Sequence, residues 1–363
     1  MKLFNLILVI TITMPCFGQS LDLNKLRLPD GFSISIYAEV ENPRQLALGA
    51  ENTVYVGSLR GKVWSLKSSA DGTGASEVSL VAEGLNTPTG VAYYDGDLYI
   101  GEINRISKIS NIGSKPNVPQ ETETVSNSLP SRRHHGFKFL EIGPAGKIYF
   151  PIGAPCNVCE VEDNFGTLMR MDLDGSNLEI IARGVRNTVG FDFHPLTEEL
   201  WFTDNGRDML GDDIPACEIN RLVSNGQHFG FPYIHQGDLP DPRFGKGRDP
   251  EDYTRPVLKL GAHVAPLGLT FINGTKLPIG FQNVVLWAEH GSWNRSKKNG
   301  YRVMMGKVSS GNDHIISNEP FISGWLDGQD HWGRPVDILN MPDGSFLVTD
   351  DMANVIYRIT YGN

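Results

Sequence analysis

A repeated arrangement of turns and strands constrains the fold of this 363-residue chain more than any other feature. Each copy has a turn rich in Gly, Asp or Pro, an apolar and aromatic strand, a loop, and a second strand of alternating type. The strand centres fall at Tyr55, Tyr99, Tyr149, Trp201, Trp287 and Leu347. Their spacing is about 45 to 60 residues, with one longer interval that we assign to an excursion on one face. Repeats of this length with several short strands indicate propeller blades. We therefore predict an all-β, six-bladed β-propeller.

The predicted propeller occupies residues 19–363 as a single domain, because no linker, low-complexity tract or heptad pattern separates the copies. Residues 1–18 contain Lys2, an apolar run from Leu3 to Met14 and the small residue Gly18, a pattern typical of a cleaved signal peptide. No later run has the roughly 20 apolar residues that a membrane span needs. The sequence thus predicts a periplasmic or secreted protein without a membrane span. Its net charge of -10 argues against nucleic acid as a partner.

Three cysteines remain after the predicted cleavage, namely Cys156, Cys159 and Cys217. The sequence "CNVC" is compatible with a local disulfide, a redox pair or half of a zinc site. A zinc site needs a second pair of ligands at matching spacing, which the chain lacks, and Glu160 stands where haem attachment needs His. An oxidising compartment favours a Cys156–Cys159 disulfide that stiffens a loop.

Polar residues stand at or just before the inner strands of successive blades, where a propeller gathers them around one mouth of its central channel. They are His135, Arg186, Asn187, the segment from His290 to Arg295, and Arg334. Such a cluster suits an anionic, carbonyl-bearing ligand, because Arg offers forked donors to carboxylates and stays charged. His134 adjoins His135, and strand alternation turns two such neighbours to opposite sides. The spacing to the following turn favours His135 for the site.

Four segments occur in an order that resembles a known enzyme family. They are "RRHHGFKFLEIGPAGKIYFPIGAPCNVC", "ARGVRNTVGFDFHPLTEELWFTDNGRDMLGDDIPACEINRL", "AEHGSWNR" and "DHWGRPVDILNMPDGSFLVTDD". The family is that of the soluble PQQ-dependent sugar dehydrogenases, in particular the glucose/sorbosone dehydrogenase group. The resemblance implies a six-bladed propeller, with PQQ and Ca²⁺ as cofactors. It also implies oxidation of an aldose or sugar aldehyde, with electrons passed to an external quinone, cytochrome or dye.

The resemblance assigns roles to the polar residues. His135 matches the general base, which takes a proton from the sugar as hydride leaves for the quinone, a task that suits a His near its ordinary pKa. Arg186 and Asn187 match the pair beside the quinone oxygen, where negative charge develops. Further cationic contacts to the cofactor match Arg334 and one of His290 and Arg295.

The resemblance also implies calcium sites. Gly206 and Arg207 match positions whose backbone carbonyls hold calcium together with PQQ. An acidic segment that binds structural calcium matches Glu218, with Asp212 and Asp213, although Cys217 stands where a carboxylate is expected.

Two other classes of function remain open from the residues. One is a propeller that binds a carbohydrate or a protein without redox activity, and the other is a calcium-dependent propeller hydrolase or lactonase. In blade 2 the family's Gln-containing, glycine-rich stretch is replaced by "GLNTPTGVAYY", so the sugar stays open. Trp293 and Trp332 are suited either to stacking on a sugar or to packing between blades, and packing is the favoured interpretation.

Overall fold

Six sheets of four or five strands, antiparallel except for one strand pair in blade 3, form most of the computed structural model, which describes residues 21–162, 164–272 and 277–362. In each sheet the strands follow one another outward from an innermost strand that contacts the innermost strands of other blades. The prediction of an all-β, six-bladed propeller is confirmed. The predicted signal peptide at residues 1–18 lies outside the described residues, and the single domain over 19–363 stays a prediction.

The strands of each blade are given from the innermost to the outermost. Blade 1 contains Pro43–Leu48, Thr53–Ser58, Val63–Ser68 and Ala75–Ala82. Blade 2 contains Gly90–Tyr94, Asp97–Gly101, Ile106–Ile109 and Glu123–Ser126. Blade 3 contains Glu141–Ile142, Ile148–Ile152, Thr167–Met171, Glu179–Arg183 and the parallel strand Gln227–His228.

Blade 4 contains Phe191–Phe193, Leu200–Asp204, Ala216–Leu222 and Leu258–Ala262. Blade 5 contains Pro266–Phe271, Val284–Glu289, Arg302–Val308 and Ile315–Ile322. Blade 6 contains Pro335–Asn340, Phe346–Asp350, Val355–Tyr361 and the N-terminal strand Phe32–Glu39. Two short hairpins pair Ile234–His235 with Leu239–Pro240 and Leu326–Asp327 with Asp330–His331.

Single 3-10 helical turns complete the secondary structure of the described residues. They are Leu23–Lys25, Ala50–Asn52, Ile112–Ser114, Pro250–Asp252 and Ile279–Phe281. None of the helices in the described part of the chain has the length and apolar character needed to cross a membrane.

The six strand centres identified in the sequence all lie in the second strand of a blade, and all six side chains are buried. Large apolar side chains at this position fill the space between neighbouring blades. Trp201 of blade 4, for example, meets Phe271 of blade 5 edge to face, with 5.5 Å between ring centroids. The repeat therefore marks the layer that holds adjacent blades together.

The ring is closed by pairing between the two ends of the described chain. The N-terminal strand Phe32–Glu39 pairs antiparallel with Val355–Tyr361, from Phe32 opposite Tyr361 to Glu39 opposite Val355. The Phe32 ring also packs on Phe281 and Phe321, with centroids 4.9 and 5.0 Å away. Blade 6 is thus assembled from both ends of the ring.

The long interval between the fourth and fifth repeats is an excursion, as the sequence predicts. It leaves blade 4 after its third strand at Leu222 and returns at Leu258. The excursion contributes the strand Gln227–His228 to blade 3 and forms the hairpin at Ile234–His235. Phe229 of the excursion packs edge to face on Phe202 of blade 4, with 4.9 Å between ring centroids.

Candidate active site

A cavity of about 280 Å³ opens among the residues that precede the inner strands, at one mouth of the central channel. Its charged and titratable lining is strongly cationic. It consists of Arg44, Arg133, Arg186, Arg334, His135, His263, His290, the thiol of Cys217 and a single carboxylate, Asp208. Four arginines against one carboxylate suit an anionic small molecule.

The cavity brings together most of the residues singled out in the sequence. Those that line it are His135, Arg186, Asn187, Gly206, His290 and Arg334. Five other predicted site residues are not part of its lining. They are Arg207, Asp212, Asp213, Glu218 and Arg295.

His135 presents an unprotonated ring nitrogen to the cavity. Its Nδ1 lies 2.9 Å from the carbonyl oxygen of Ala154, so Nδ1 carries the proton and donates it there. The other nitrogen, Nε2, is then left as an acceptor. Burial, with the positive charge of Arg186, lowers the pKa of His135 to about 2. The imidazole is therefore neutral over the physiological range, far from the ordinary His pKa that we expected, because the cavity wall is both dry and cationic.

The structure separates His135 from its neighbour His134, although not by strand alternation. Both residues lie in a turn, with His135 at a φ of 50°, and the inner strand of blade 3 begins only at Glu141. His134 is exposed and does not line the cavity, while His135 is half-buried and does. The turn, rather than a strand, decides which imidazole faces inward.

Arg186 is buried and uses every N–H of its guanidinium within the protein. Its Nε donates to the carbonyl of Asn157 at 2.8 Å, and NH2 donates to Asn157 Oδ1 at 3.0 Å. NH2 also reaches Asp208 Oδ2 at 3.2 Å. NH1 donates to the carbonyls of Asn205 and Gly206 at 3.0 and 2.9 Å. Because a guanidinium has five N–H donors, Arg186 is a fixed positive charge in the cavity wall.

The backbone of the Arg186–Asn187 pair is held by a carboxylate at the end of the second strand of blade 4. Asp204 accepts the N–H of Arg186 at 2.8 Å and that of Asn187 at 2.6 Å. The side-chain amide of Asn187 lines the cavity and makes no hydrogen bond within the described residues. It is therefore available to a ligand.

Arg44 also lines the cavity, from blade 1, although the sequence pattern did not single it out. Arg44 NH1 binds Asp351 Oδ2 at 2.7 Å, and His290 Nε2 lies 2.8 Å from Asp351 Oδ1. Although burial opposes it, the charges of His290 and Arg44 hold the pKa of Asp351 well below its ordinary value. Arg44 Nε is buried without a hydrogen-bond partner in the described chain, so this residue retains an unused donor.

A positional signal for Arg44 was present in the sequence. Arg44 stands in the inner strand of blade 1, within "NPRQLAL", much as Arg334 immediately precedes the inner strand of blade 6. Arg334 donates from Nε to His290 O at 2.9 Å and from NH2 to Gly291 O at 3.0 Å. Aligning the six copies by their inner strands would have placed both arginines at the same mouth.

Arg295 and the two aspartates of the preceding loop bind one another away from the cavity. Arg295 NH2 is 3.0 Å from Asp213 Oδ1, and NH1 donates to the carbonyl of Asp212. Asp212 also accepts from the backbone N–H of Ser296 at 3.0 Å. These contacts join two loops, so of the pair left open in the sequence it is His290, and not Arg295, that lines the cavity.

Glu218 lies beside Asp204 rather than beside Asp212 and Asp213. The two strands place Asp204 opposite Glu218, and burial with the nearby Asp204 charge raises the pKa of Glu218. Asn220 Nδ2 donates to Glu218 Oε2 at 2.9 Å, while Asn220 Oδ1 is buried without a partner in the described chain. Within residues 21–162, 164–272 and 277–362, no three His, Cys, Asp or Glu side chains converge as a metal site.

The side chain of Arg207 points away from the cavity. Its guanidinium binds Asp241, which also lies 2.9 Å from His235 Nε2. Any contribution of Arg207 to the cavity would therefore come from its backbone.

The predicted disulfide between Cys156 and Cys159 is confirmed. Cys217 is a free, buried thiol that lines the cavity, and burial raises its pKa to about 11. It is thus protonated and unreactive at neutral pH.

The two tryptophans differ in their environments. Trp332 packs on the buried Trp325, with 6.5 Å between ring centroids, as predicted. For Trp293 the prediction of packing between blades is wrong, because its side chain is 70% exposed at the edge of the cavity. The loop from Gly291 projects it outward, beyond the strands whose alternation would bury it.

Comparisons with known proteins agree with the fold. A protein of Borreliella burgdorferi (strain ATCC 35210 / DSM 4680 / CIP 102532 / B31), described as uncharacterized, is 33% identical over 350 residues, covering 93% of this chain and 91% of that protein. The holo form of the pyranose dehydrogenase PQQ domain from Coprinopsis cinerea has a TM-score of 0.77 at 16% identity, covering 92% of this chain and 97% of that chain. A calcium structure of a family AA12 carbohydrate-active enzyme from Trichoderma reesei has a TM-score of 0.82 at 16% identity, covering 93% and 97%.

The family comparison covers the blades that carry most of the cavity. The model of the family described as "Glucose / Sorbosone dehydrogenase" matches residues 102–289, which include His135, Arg186, Asn187 and Gly206. Since this match spans more than half of the chain, the protein belongs to the glucose/sorbosone dehydrogenase family.

Proposed function

We propose that this protein is an exported, PQQ- and calcium-dependent dehydrogenase that oxidises an aldose or a sugar aldehyde and passes the electrons to an external acceptor. The observation that carries the proposal is the cavity itself, where the unprotonated Nε2 of His135 lies within a wall of arginines. Membership of the family supports it, and so does the likeness to a protein whose title names a PQQ domain. The disulfide fits an oxidising compartment.

The donors in the cavity fit an anionic quinone. Arg44 keeps a buried Nε–H without a partner, Asn187 keeps a free amide, and Arg334 adds a further charge. These groups would hold the acidic oxygens of PQQ. When bound, PQQ supplies an electrophilic carbon that accepts a hydride.

His135 and Arg186 have separate roles, proton transfer and charge stabilisation. His135 takes the proton of the sugar hydroxyl on Nε2, while its Nδ1–H stays on the carbonyl of Ala154. The pKa of about 2 is that of the cofactor-free cavity, and the negative charge of bound PQQ would raise the pKa of His135 toward the range in which an imidazole accepts a proton. Arg186 would stabilise the negative charge that develops on the neighbouring quinone oxygen. Because all of its N–H groups bind protein oxygens, Arg186 acts through its fixed charge rather than through a free donor.

Oxygen atoms suited to calcium occur in two places. At the cavity, Gly206 is part of the lining, with one side of its carbonyl oxygen accepting from Arg186 NH1 at 2.9 Å, and Arg207 follows it in the chain. Away from the cavity, Asp204 and Glu218 stand beside the unpartnered Oδ1 of Asn220, an arrangement that would suit a structural calcium ion. Glu218 thus remains in the proposal, while Asp212 and Asp213 are engaged by Arg295.

The test is reconstitution of purified, cofactor-free protein with PQQ and CaCl₂, separately and together, against a panel of aldoses and sugar aldehydes. We expect a shifted PQQ absorption spectrum and sugar-dependent reduction of an artificial dye only when both are present. A shifted spectrum without turnover on any sugar would favour a binding propeller. Lactone hydrolysis with calcium alone would favour the hydrolase. Either result would overturn the proposal.

A further inference from the structure

The short segment that carries the disulfide touches both residues to which we assign the chemistry. The carbonyl of Ala154 accepts Nδ1–H of His135 at 2.9 Å, and its N–H donates to Arg186 O at 2.8 Å. Three residues further along, Asn157 accepts two bonds from the Arg186 guanidinium, at 2.8 Å on its carbonyl and 3.0 Å on Oδ1. The tautomer of His135 and the orientation of Arg186 therefore depend on the same few residues.

Asn157 also ties this segment to the loop that follows the second strand of blade 4. Its Oδ1 accepts the N–H of Asp208 at 2.8 Å, and its Nδ2 donates to Asp208 O at 3.1 Å. Asp208 in turn places a carboxylate oxygen 3.2 Å from Arg186 NH2. Asn157 and Asp208 thus form a cradle with two sides around one guanidinium.

The disulfide is the covalent restraint on this cradle. Residues 155–160 belong to no strand or helix, so regular secondary structure does not hold Asn157 in place. Instead, Cys156 and Cys159 close a loop with a sequence separation of 3, and Asn157 lies inside it. A loop this short leaves Asn157 few alternative backbone conformations.

We propose that Asn157 is a positioning residue for Arg186 and that the Cys156–Cys159 disulfide keeps it in place, so that the charge beside the reacting atoms depends on the redox state of this loop. The functional part of this inference rests on the proposed dehydrogenase activity. Reduction by a dithiol transfers two electrons and two protons to the cystine, which gives two thiols and the oxidised, cyclic reductant. The two acceptors on Asn157 are then no longer held in place, and the Arg186 guanidinium can rotate away from its position in the cavity wall.

The first experiment does not depend on activity. In cofactor-free protein, ¹⁵N NMR follows hydrogen exchange at Arg186 Nε, assigned by comparison with Arg186→Lys. We expect exchange to be at least tenfold faster in the Cys156→Ser/Cys159→Ser variant and in wild type reduced with dithiothreitol, and to slow again after reoxidation. Unchanged exchange in both samples overturns the proposal whatever the protein catalyses. The reduced wild type is the second sample in case the double variant does not fold.

The second experiment measures turnover in the reconstituted protein. Asn157→Ala should lower kcat about tenfold or more with little change in KM, because the stabilised charge develops only in the transition state. Asn157→Asp keeps an acceptor for NH2 and should recover most of kcat, while Asn127→Ala, which replaces an exposed asparagine outside the cavity, is the control. A rise in KM alone, or equal losses in the Ala and Asp variants, would contradict a positioning role. Faster exchange in a protein that never turns over sugar would refute the proposed function and leave the positioning role intact.

Discussion

Replacing His135 by asparagine tests the assignment of the base with little disturbance of the fold. His135 has a φ of 50°, and asparagine tolerates this left-handed region better than most residues. The substitution removes one hydrogen bond, from Nδ1 to Ala154 O, so the free energy of unfolding should fall by only about 1 kcal/mol. It removes the sole unprotonated imidazole nitrogen assigned to proton transfer.

A positioned general base contributes about 10²- to 10⁴-fold to the rate, which corresponds to about 3 to 5 kcal/mol of activation free energy. We therefore expect kcat/KM of His135→Asn to fall by that factor. The affinity for PQQ, measured by titration of its absorption spectrum, should change by less than about threefold, since the arginines that bind the anion are untouched. Dye reduction under pseudo-first-order conditions gives kcat/KM, and urea unfolding gives the stability.

His134→Asn is the matched control, because His134 is exposed and its ring centroid lies 4.0 Å from that of His135. This variant should retain kcat/KM within about twofold. The assignment of His135 as the base fails if His135→Asn keeps more than a tenth of the wild-type kcat/KM while remaining folded. It fails equally if His134→Asn loses as much activity.

Three further outcomes follow from the same geometry. Because burial and the neighbouring guanidinium lower the pKa of His135 to about 2, its ring resonances in cofactor-free protein should stay in the neutral form from pH 8 down to pH 5; an imidazolium signal there would contradict the assigned environment. Arg44→Met leaves the buried Asp351 paired with His290 alone, so urea unfolding should show a loss of about 3 kcal/mol, and an unchanged midpoint would mean that the ion pair contributes nothing. If the exposed Trp293 ring at the cavity edge stacks on the sugar, Trp293→Ala should raise KM for the sugar about two- to tenfold without lowering the melting temperature, since this side chain is 70% exposed; an unchanged KM would show that Trp293 does not contact the sugar.

The fold was readable from the sequence because one layer of the propeller repeats. The second strand of every blade must bury a large side chain against its neighbour, so Tyr55, Trp201 and Leu347 appear at similar places in successive copies. The residues before inner strands could be assigned to one mouth for the same reason. His135, Arg186 and Arg334 all line the cavity.

Loop side chains could not be placed by this reasoning. Arg207 and Arg295 stand close in sequence to cavity residues, yet each turns away to bind an aspartate of another segment. Such pairings join segments that are distant in the chain, and no local period encodes them. The sequence pattern did not indicate Asn157 for a similar reason, since its contacts to Arg186 and Asp208 depend on how three loops pack together.

The pairing of Phe32–Glu39 with Val355–Tyr361 has a consequence for biosynthesis. During translation the first strand has no partner until Val355–Tyr361 has been made, more than 300 residues later. Ring closure therefore comes late in the folding of the propeller, because contacts so distant in sequence form slowly. Until that pairing forms, blade 6 is incomplete, and the cavity lacks the fixed position of Arg334, which precedes the inner strand of that blade.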